Sequence, residues 1–214
     1  MTRRLPDDEA GRSEAIRILR DGGIVAIPTD TVYGLAVAMD RPGAIERLFE
    51  AKGRSSDRAV AVLLADLGQA ETLGVLGPAA HALGEAFWPG GLTLVVAQRP
   101  DRPPLPAALT GGRPTIGLRV PDHPCPRALA AALGPLPTTS ANLSGEPELL
   151  DADAIESRLG ERLDLVLDGG AARGGSPSTV VDVSGDSLRV LRDGAIPASA
   201  ITAQVERRPR DMGR

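Results

Sequence analysis

A short apolar run near the start of the chain ends in three oxygen-bearing side chains. Residues 24–27 read IVAI, and residues 28–35 read PTDTVYGL. β-Branched residues between glycines and a proline predict a short buried strand. Thr29, Asp30 and Thr31 follow it directly. These residues either form a turn that satisfies its own backbone or bring hydroxyl and carboxylate oxygens to a ligand site.

One of the basic residues of the chain is unusual in type. Of 24 basic residues, 23 are Arg and one is Lys52. The periodicity of residues 44–51 predicts a helix that ends at Lys52-Gly53-Arg54, and Arg58 follows shortly after. An ammonium is a compact point charge, whereas a guanidinium is a planar fork, so the single Lys indicates a specific task near an anionic group. The alternative is a chance of composition.

A second polar surface is predicted on the strand Thr115 to Val120. Its residues alternate, with Ile116 and Leu118 on one face and Thr115, Gly117 and Arg119 on the other. A glycine between two polar side chains allows a ligand to approach the backbone. The alternative is an ordinary solvated face.

Two segments rich in small residues complete the candidate site. Residues 136–145 form a predicted strand followed by a turn of small hydrogen-bonding residues, and residues 168–178 form a Gly-rich loop. Hydroxyls and backbone N–H groups in such turns can surround a phosphate. The candidate residues in and after these segments are Thr138, Ser140, Asn142, Ser178 and Arg192.

Several reaction types lack support in the sequence. It has no GxxxxGK[ST], GxGxxG or CxxC motif, and His81 and His123 have no metal-ligand spacing, so no protein-held metal site is predicted. Neither histidine lies in a segment with a nucleophile signature, which leaves a Ser-His-Asp hydrolase unsupported. Hydroxyls and cations without an acid-base pair suit an anionic, phosphate-bearing substrate that reacts through positioning and charge stabilisation.

The composition is that of one globular domain. The chain has 214 residues, 42% hydrophobic and only 2% aromatic, so the core is predicted to be aliphatic. The single cysteine rules out an internal disulfide. We expect a cytoplasmic protein without membrane association, because no leader or membrane-length apolar run is present. The net charge of −4 provides no global basic field for a nucleic acid.

The elements predicted around these residues alternate irregularly between helix and strand, without an internal repeat. We therefore predict one α/β domain over residues 10–200, with a single mixed sheet, and terminal tails at 1–9 and 201–214. Residues 1–12 are expected to be a frayed lead-in, with Ser13 capping the first helix. Residues 99–114 hold five prolines and are expected to form a long loop.

Six ordered blocks then resemble a known family. They are PTDTVYGL (28–35), KGR (52–54), FWPGGLTLVV (87–96), GLRVPDHP (117–124), TSANLSG (139–145), and PSTVVDV with VLRDGAI (177–196). In this order they resemble the YrdC/TsaC family of threonylcarbamoyl-AMP synthases, in the compact form without the extra C-terminal domain. The resemblance implies a twisted mixed β-sheet flanked by helices, with a concave ligand cleft.

The resemblance also implies a nucleotidyltransferase reaction in which L-threonine, bicarbonate and ATP give threonylcarbamoyl-AMP and pyrophosphate. The product would serve a separate transferase complex that modifies the tRNA adenosine beside the anticodon, and a tRNA contact is possible. Mg²⁺ would accompany ATP and bridge its phosphates. By motif, Thr31, Arg119, Thr138 and Ser178 would bind threonine, Lys52 and Arg54 would be catalytic, and Arg54, Arg58, Thr115, Ser140, Asn142 and Arg192 would bind the nucleotide.

Two positions depart from the family pattern, and two alternatives stay open. Arg58-Ala59-Val60 replaces Lys-Pro-Leu, and Leu63 replaces the histidine of some relatives. An RNA-binding or ribosome-assembly module could use the same fold, although the acidic net charge argues against it. A carbamoyl-transfer module of hydrogenase maturation normally comes with zinc-binding and acylphosphatase regions, which this sequence lacks.

Overall fold

The computed structural model describes residues 2–53, 59–172 and 175–206. In these ranges the chain forms one mixed β-sheet with helices packed against it. The strands are β1 (Arg3–Pro6), β2 (Val25–Ile27), β3 (Gly34–Ala36), β4 (Ala61–Leu63), β5 (Gly74–Val75), β6 (Leu92–Gln98), β7 (Thr115–Arg119), β8 (Leu136–Ser140), β9 (Leu165–Asp168), β10 (Thr179–Asp182) and β11 (Arg189–Arg192). The α-helices are α1 (Glu9–Arg20), α2 (Ala44–Lys52), α3 (Leu67–Leu73), α4 (Pro78–Phe87), α5 (Ala107–Thr110), α6 (Pro124–Leu133), α7 (Ala152–Leu159) and α8 (Ala198–Glu206).

The strand order across the sheet is β1-β9-β2-β3-β8-β4-β7-β6-β10-β11, with β5 paired to β6. The sheet contains parallel pairs, such as β2 with β9 and β4 with β7, and antiparallel pairs, such as β2 with β3 and β6 with β7. The prediction of a single mixed α/β sheet flanked by helices is therefore confirmed.

Alternation along the strands divides the apolar residues between two cores. Val25 and Ile27 of β2 pack with α1 and α6, whereas Ala26 of β2 and the preceding Ile24 face the other side, which α2, α4, α7 and α8 cover. Both cores are mainly aliphatic. The predicted aliphatic core is confirmed, and Tyr33 is the one aromatic residue among the largest fully buried side chains of the described residues.

Helices α1 and α6 cover only part of their face of the sheet. On β8, Leu136 belongs to the core beneath these helices, but Thr138 and Ser140, two and four residues later on the same face, line a cavity. The uncovered part of this face carries small or polar residues, among them Gly34, Thr93 and Gly117. The missing helix cover and the small side chains together leave room for a ligand.

The chain termini differ from the predicted tails. The expectation of a frayed lead-in is wrong, because Arg3–Pro6 form β1, which pairs in parallel with β9. Helix α1 begins at Glu9 with Asp8 as its N-cap, since the Asp8 side chain accepts a hydrogen bond from the Gly11 backbone N–H. At the other end, α8 continues to Glu206 and buries Ile201.

Two smaller differences concern elements too short for a periodic signal. The segment after Pro28 does not remain a turn, because Gly34–Ala36 form β3, which pairs with both β2 and β8. The predicted loop at 99–114 contains the single turn of α5. Strand β3 matters for the site, since it holds residues 28–33 as a loop between two buried strands.

Candidate functional site

A cavity of about 700 Å³ lies over the uncovered part of the sheet. The loop 28–33 and strands β3, β4, β6, β7, β8, β10 and β11 all contribute to its wall. Of the predicted site residues that the structure describes, seven line it: Thr31, Thr115, Arg119, Thr138, Ser140, Ser178 and Arg192. Most of the sequence-predicted residues therefore share one site.

Arg119 is the most deeply buried cation of the cavity. Its side chain is 7% exposed, and Nη2 donates to Asp30 Oδ1 at 2.6 Å. Nη1 donates to Thr31 Oγ1 at 2.9 Å, and Nε donates to the Gly90 carbonyl at 2.9 Å. Burial lowers the pKa of Arg119 from its ordinary value, and the Asp30 carboxylate opposes this effect. The guanidinium is thus fixed in place while further N–H groups remain for a ligand.

The loop 28–33 is held by its own hydroxyls. Thr29 Oγ1 donates to the Val32 carbonyl at 2.6 Å and accepts the Thr31 backbone N–H at 3.1 Å. Thr29 Oγ1 also lies 3.1 Å from Thr31 Oγ1. Thr29 therefore satisfies the local backbone, as the turn interpretation predicts, whereas Asp30 and Thr31 contact Arg119 beside the cavity. That these oxygens serve a ligand remains a prediction.

Ser178 and Arg192 form a second cluster. Arg192 donates to the Ser178 carbonyl from Nε at 3.1 Å and from Nη2 at 2.8 Å, and Nη2 lies 3.1 Å from Ser178 Oγ. The Ser178 hydroxyl also lies 2.8 Å from Thr93 Oγ1. Burial lowers the pKa of Arg192, and Glu148 acts in the opposite direction. This cluster places a cation and two hydroxyls on the same wall.

Lys52 is buried, with 3% of its surface exposed, although helix α2 ends there. Its Nζ donates to the Ser140 carbonyl at 2.6 Å and to Asn142 Oδ1 at 2.9 Å, and it lies 3.2 Å from Thr139 Oγ1. Ser140 Oγ donates to the same Asn142 oxygen at 2.7 Å. In this structure the ammonium cross-links α2 to the end of β8 and its turn, behind a wall formed by Thr139 and Ser140.

Thr138 and Thr115 take different parts in the wall. The Thr138 hydroxyl donates to the Leu136 carbonyl at 2.9 Å, so its proton is used within β8. Its methyl group faces Gly34, where an added Cβ would lie 2.6 Å from it. Thr115 lies on the same face of β7 as Gly117 and Arg119, as the alternation predicts. Arg54 and Arg58 lie outside the described residues, so their predicted contacts remain predictions.

Several cavity residues were not singled out from the sequence. Thr93 could have been, because Leu92, Leu94 and Val96 alternate with it on β6. At the far end, Asp182 accepts from Arg189 Nη2 at 2.6 Å and from the Ser184 hydroxyl at 2.6 Å. Burial acts to raise the pKa of Asp182, but the bonds from Ser184 and Arg189 hold it below its ordinary value. Asp182 and Arg189 meet because β10 and β11 pair antiparallel and place these two residues opposite each other.

The described residues contain no group of three or more His, Cys, Asp or Glu that could hold a metal ion. The two carboxylates that line the cavity or contact it, Asp30 and Asp182, are each paired with an arginine. None of the described helices has the length and apolar character needed to cross a membrane.

Comparison with known proteins identifies the class. The Sua5/YciO/YrdC family model, described as telomere recombination, matches residues 17–194. The chain is 38% identical to the threonylcarbamoyl-AMP synthase of Bacillus subtilis over 209 residues, 96% of this chain and 59% of the relative. It is 35% identical to the threonylcarbamoyl-AMP synthase of Vibrio vulnificus over 185 residues, 85% of this chain and 97% of that one.

A solved structure of the same family is also similar to this chain. The crystal structure of Pyrococcus abyssi Sua5 complexed with L-threonine superposes with a TM-score of 0.87 at 33% identity, covering 96% of this chain and 60% of that one. The chain belongs to the Sua5/YciO/YrdC family. It spans about three fifths of the Bacillus subtilis and Pyrococcus abyssi relatives.

Proposed function

We propose that this protein is an L-threonylcarbamoyladenylate synthase, a nucleotidyltransferase that forms threonylcarbamoyl-AMP and pyrophosphate from L-threonine, bicarbonate and ATP. One observation carries the proposal: a buried guanidinium, Arg119, is fixed beside the Thr31 hydroxyl in the wall of the cavity. This pairing suits the carboxylate and amine of an amino acid. The name shared by the relatives favours the synthase over the RNA-binding module.

The reaction needs two bonds to form. The threonine nitrogen bonds to the carbon of bicarbonate with loss of one water, and a carbamate oxygen then bonds to the α-phosphorus as pyrophosphate leaves. A chain without an acid-base pair can promote both steps by holding the reactants in contact and offsetting the phosphate charge. The buried guanidinium of Arg119 and the more exposed guanidinium of Arg192, which Ser178 holds in place, supply positive charge for this purpose.

The residues divide between two subsites. For threonine we assign Arg119 to the carboxylate, Thr31 and Ser178 to polar groups, and Thr138 to the wall. For the nucleotide we assign Thr115, Ser140, Asn142 and Arg192, together with Arg54 and Arg58. Lys52 is assigned a catalytic role with Arg54, and its contacts to Ser140 and Asn142 support an effect on the shape of the nucleotide subsite.

Mg²⁺ is proposed to enter as part of the nucleotide. Phosphate oxygens are preferred ligands of this ion, and it usually retains several waters. The arginine-paired carboxylates of Asp30 and Asp182 do not form a dedicated cage. We assign no step of the chemistry to a metal held by the protein itself.

The product defines the next reaction. A mixed anhydride of a carbamate and AMP is an activated acyl group, so we propose that a transferase complex passes it to the tRNA adenosine beside the anticodon. We also propose that the protein acts in the cytoplasm and that it contacts the tRNA together with the transferase complex.

The test is pyrophosphate release from ATP and Mg²⁺ with bicarbonate. We expect release that requires both bicarbonate and L-threonine, falls strongly with L-serine and L-valine, and yields threonylcarbamoyl-AMP detectable by mass spectrometry. Release that does not depend on the amino acid, or none at all, would overturn the proposal.

A further inference from the structure

The hydroxyl of Thr29 has all of its hydrogen-bonding capacity used within the loop. A threonine hydroxyl has one proton and two lone pairs. The proton goes to the Val32 carbonyl at 2.6 Å. One lone pair accepts the Thr31 backbone N–H at 3.1 Å. The Thr31 hydroxyl lies 3.1 Å from Thr29 Oγ1 and can contact only the second lone pair of that oxygen.

This accounting fixes the direction of the contact between the two threonines. Because Thr29 has no proton left to give, Thr31 Oγ1 must donate its own proton to Thr29 Oγ1. Thr31 Oγ1 also accepts from Arg119 Nη1 at 2.9 Å. In the part of the chain that the structure describes, one lone pair of Thr31 remains, and the residue lines the cavity.

We infer that Thr29 is a positioning residue that makes the Thr31 hydroxyl a hydrogen-bond acceptor toward the cavity, and that the group it receives there is the α-amine of the amino-acid substrate. The inference rests on the proposed function and deepens it. Thr29 is buried and is absent from the residues assigned to the substrate above.

The chemistry of the amine favours this direction. To attack carbon, the nitrogen needs a free lone pair, and a hydroxyl that donated to it would occupy that lone pair. A hydroxyl that only accepts holds an N–H instead and leaves the lone pair available. Arg119, which donates to the same Thr31 oxygen, would hold the carboxylate next to the amine, as the two groups are placed in an α-amino acid.

The first test is Thr29→Val, which keeps the β-branched shape and removes the hydroxyl. The freed Thr31 proton can then turn toward the amine, so we expect the KM for L-threonine to rise about tenfold. The KM for ATP should stay within about twofold, and Thr29→Ser should restore most of the loss. Thr110→Val removes a buried hydroxyl outside the cavity, on α5, and serves as the matched control.

A double variant separates positioning from general damage. If Thr29 acts through Thr31, then Thr29→Val combined with Thr31→Val should have the threonine KM of Thr31→Val alone, because coupled residues are not additive. Additive losses, equal rises in both KM values, or no change in Thr29→Val would overturn the inference.

A substrate analogue identifies the donor. L-2-Aminobutyrate keeps the α-amine and lacks the side-chain hydroxyl, so Thr29→Val should weaken its binding, measured by titration calorimetry, by the same factor as for L-threonine. An effect seen only with threonine would assign the contact to the side-chain hydroxyl and overturn the inference. If the wild type fails to release pyrophosphate with threonine, the proposed function fails and the inference with it; an active wild type beside an unaffected Thr29→Val overturns the inference alone.

Discussion

At the scale of single residues, Arg119 combines burial with a fixed orientation. Asp30, Thr31 and the Gly90 carbonyl each take one of its N–H groups. A guanidinium has five such groups, so a carboxylate can still bind without displacing these partners. Fixing the side chain before the ligand arrives lowers the conformational entropy lost on binding.

We expect Arg119→Ala to raise the KM for threonine far more than the KM for ATP. Loss of a charge-assisted pair costs about 2 kcal/mol, or about thirtyfold in KM if ground state and transition state use the contact equally. Arg119→Lys should recover only part of this loss, since an ammonium cannot reproduce a two-point contact with a carboxylate.

Steady-state titration of each substrate distinguishes the possible roles of Arg119. Arg127→Ala, on the exposed side of α6, is a control that removes an arginine away from the cavity. A selective ATP defect would reassign Arg119 to the nucleotide, and unchanged kinetics would remove it from the site. Circular dichroism should accompany the assay, because Arg119→Ala leaves the Asp30 carboxylate without this partner.

The position of Lys52 at a helix end suggests that its replacement would leave the stability of the fold unchanged, but its contacts in the structure lead to a different expectation. Because its ammonium is buried against Ser140 and Asn142, Lys52→Ala should lower both pyrophosphate release and the free energy of unfolding, the latter by about 1.5–3 kcal/mol. Lys52→Arg keeps the charge but introduces a larger planar group, so we expect it to restore little activity.

Arg54→Ala provides the comparison for Lys52. We expect tenfold or greater loss of pyrophosphate release, from a lost phosphate contact of about 1.5–3 kcal/mol, without the loss of stability. Urea unfolding and pyrophosphate assays on the same samples test both variants. Wild-type turnover in Lys52→Ala and Arg54→Ala would contradict the assignment of this segment, and wild-type kinetics in Lys52→Arg would show that charge alone suffices.

At the scale of elements, two cavity segments are joined by one side chain. Tyr33, the last residue of the loop 28–33 before β3, accepts the Gly169 N–H at 3.0 Å and donates to the Gly170 carbonyl at 2.8 Å. Burial raises the pKa of Tyr33 to about 12, so the phenol keeps its proton for this bond at neutral pH. Gly169 and Gly170 begin the Gly-rich segment that leads to Ser178.

Tyr33→Phe should therefore loosen the Gly-rich segment. Two partly buried backbone groups lose their partner, which we expect to cost about 2 kcal/mol and to lower Tm by about 4–8 °C. The KM for threonine should also rise, since Ser178 follows this segment. Calorimetry and kinetics test the prediction against Thr72→Val, which removes an exposed hydroxyl of α3. An unchanged Tm would show that the phenol bonds do not hold the segment.

Much of the element pattern can be predicted from the sequence, and the exceptions share a physical cause. The strand Thr115 to Val120 was predicted because its alternation is local and complete. Strands β1 and β3 give no such signal: β1 is short, charged and mostly exposed, and β3 is three buried residues without alternation. Both form because of partners distant in the sequence, β9 for β1 and β8 for β3.

The candidate site shows the same division between features with a local sequence signal and features that depend on distant partners. Polar residues on predicted strands, such as Thr115 and Arg119, could be placed on one face from local alternation. The contacts that decide the chemistry of these residues could not be predicted from local sequence. Arg119 contacts Asp30, 89 residues away in the chain, and Lys52 contacts Asn142, 90 residues away. These contacts depend on the strand order, in which β3, β8, β4 and β7 are neighbours although they are far apart in the chain.

At the scale of the whole molecule, the terminal elements extend the fold beyond the family match at residues 17–194. Strand β1 forms one edge of the sheet, and α8 packs on α4. Arg4 of β1 donates to Asp168 of β9 from Nη2 at 2.8 Å and also contacts Asp153 of α7. One arginine near the start of the chain thus connects β1 to the strand that leads into the Gly-rich segment.

This connection predicts a loss of stability in acid. The hydrogen bond from Arg4, with that from the Gly170 N–H, lowers the pKa of Asp168 below its ordinary value. The stabilisation is therefore present above the unfolded-state pKa of about 4 and is lost as the pH falls through the lower folded-state pKa. Because Arg4 and Asp168 are both solvent-accessible, we expect their contact to make only a small contribution to the free energy of unfolding at pH 7.

Urea unfolding of the wild type and of Asp168→Asn at pH 7 and pH 3 tests this prediction. Asp168→Asn should be less stable at pH 7 and should lose less free energy of unfolding than the wild type between the two pH values, because the amide does not titrate. Asp122→Asn, at an exposed position, should lose as much as the wild type. Equal losses in the wild type and Asp168→Asn would mean that other carboxylates carry the acid sensitivity and that the Arg4 contact contributes nothing measurable to the edge of the sheet.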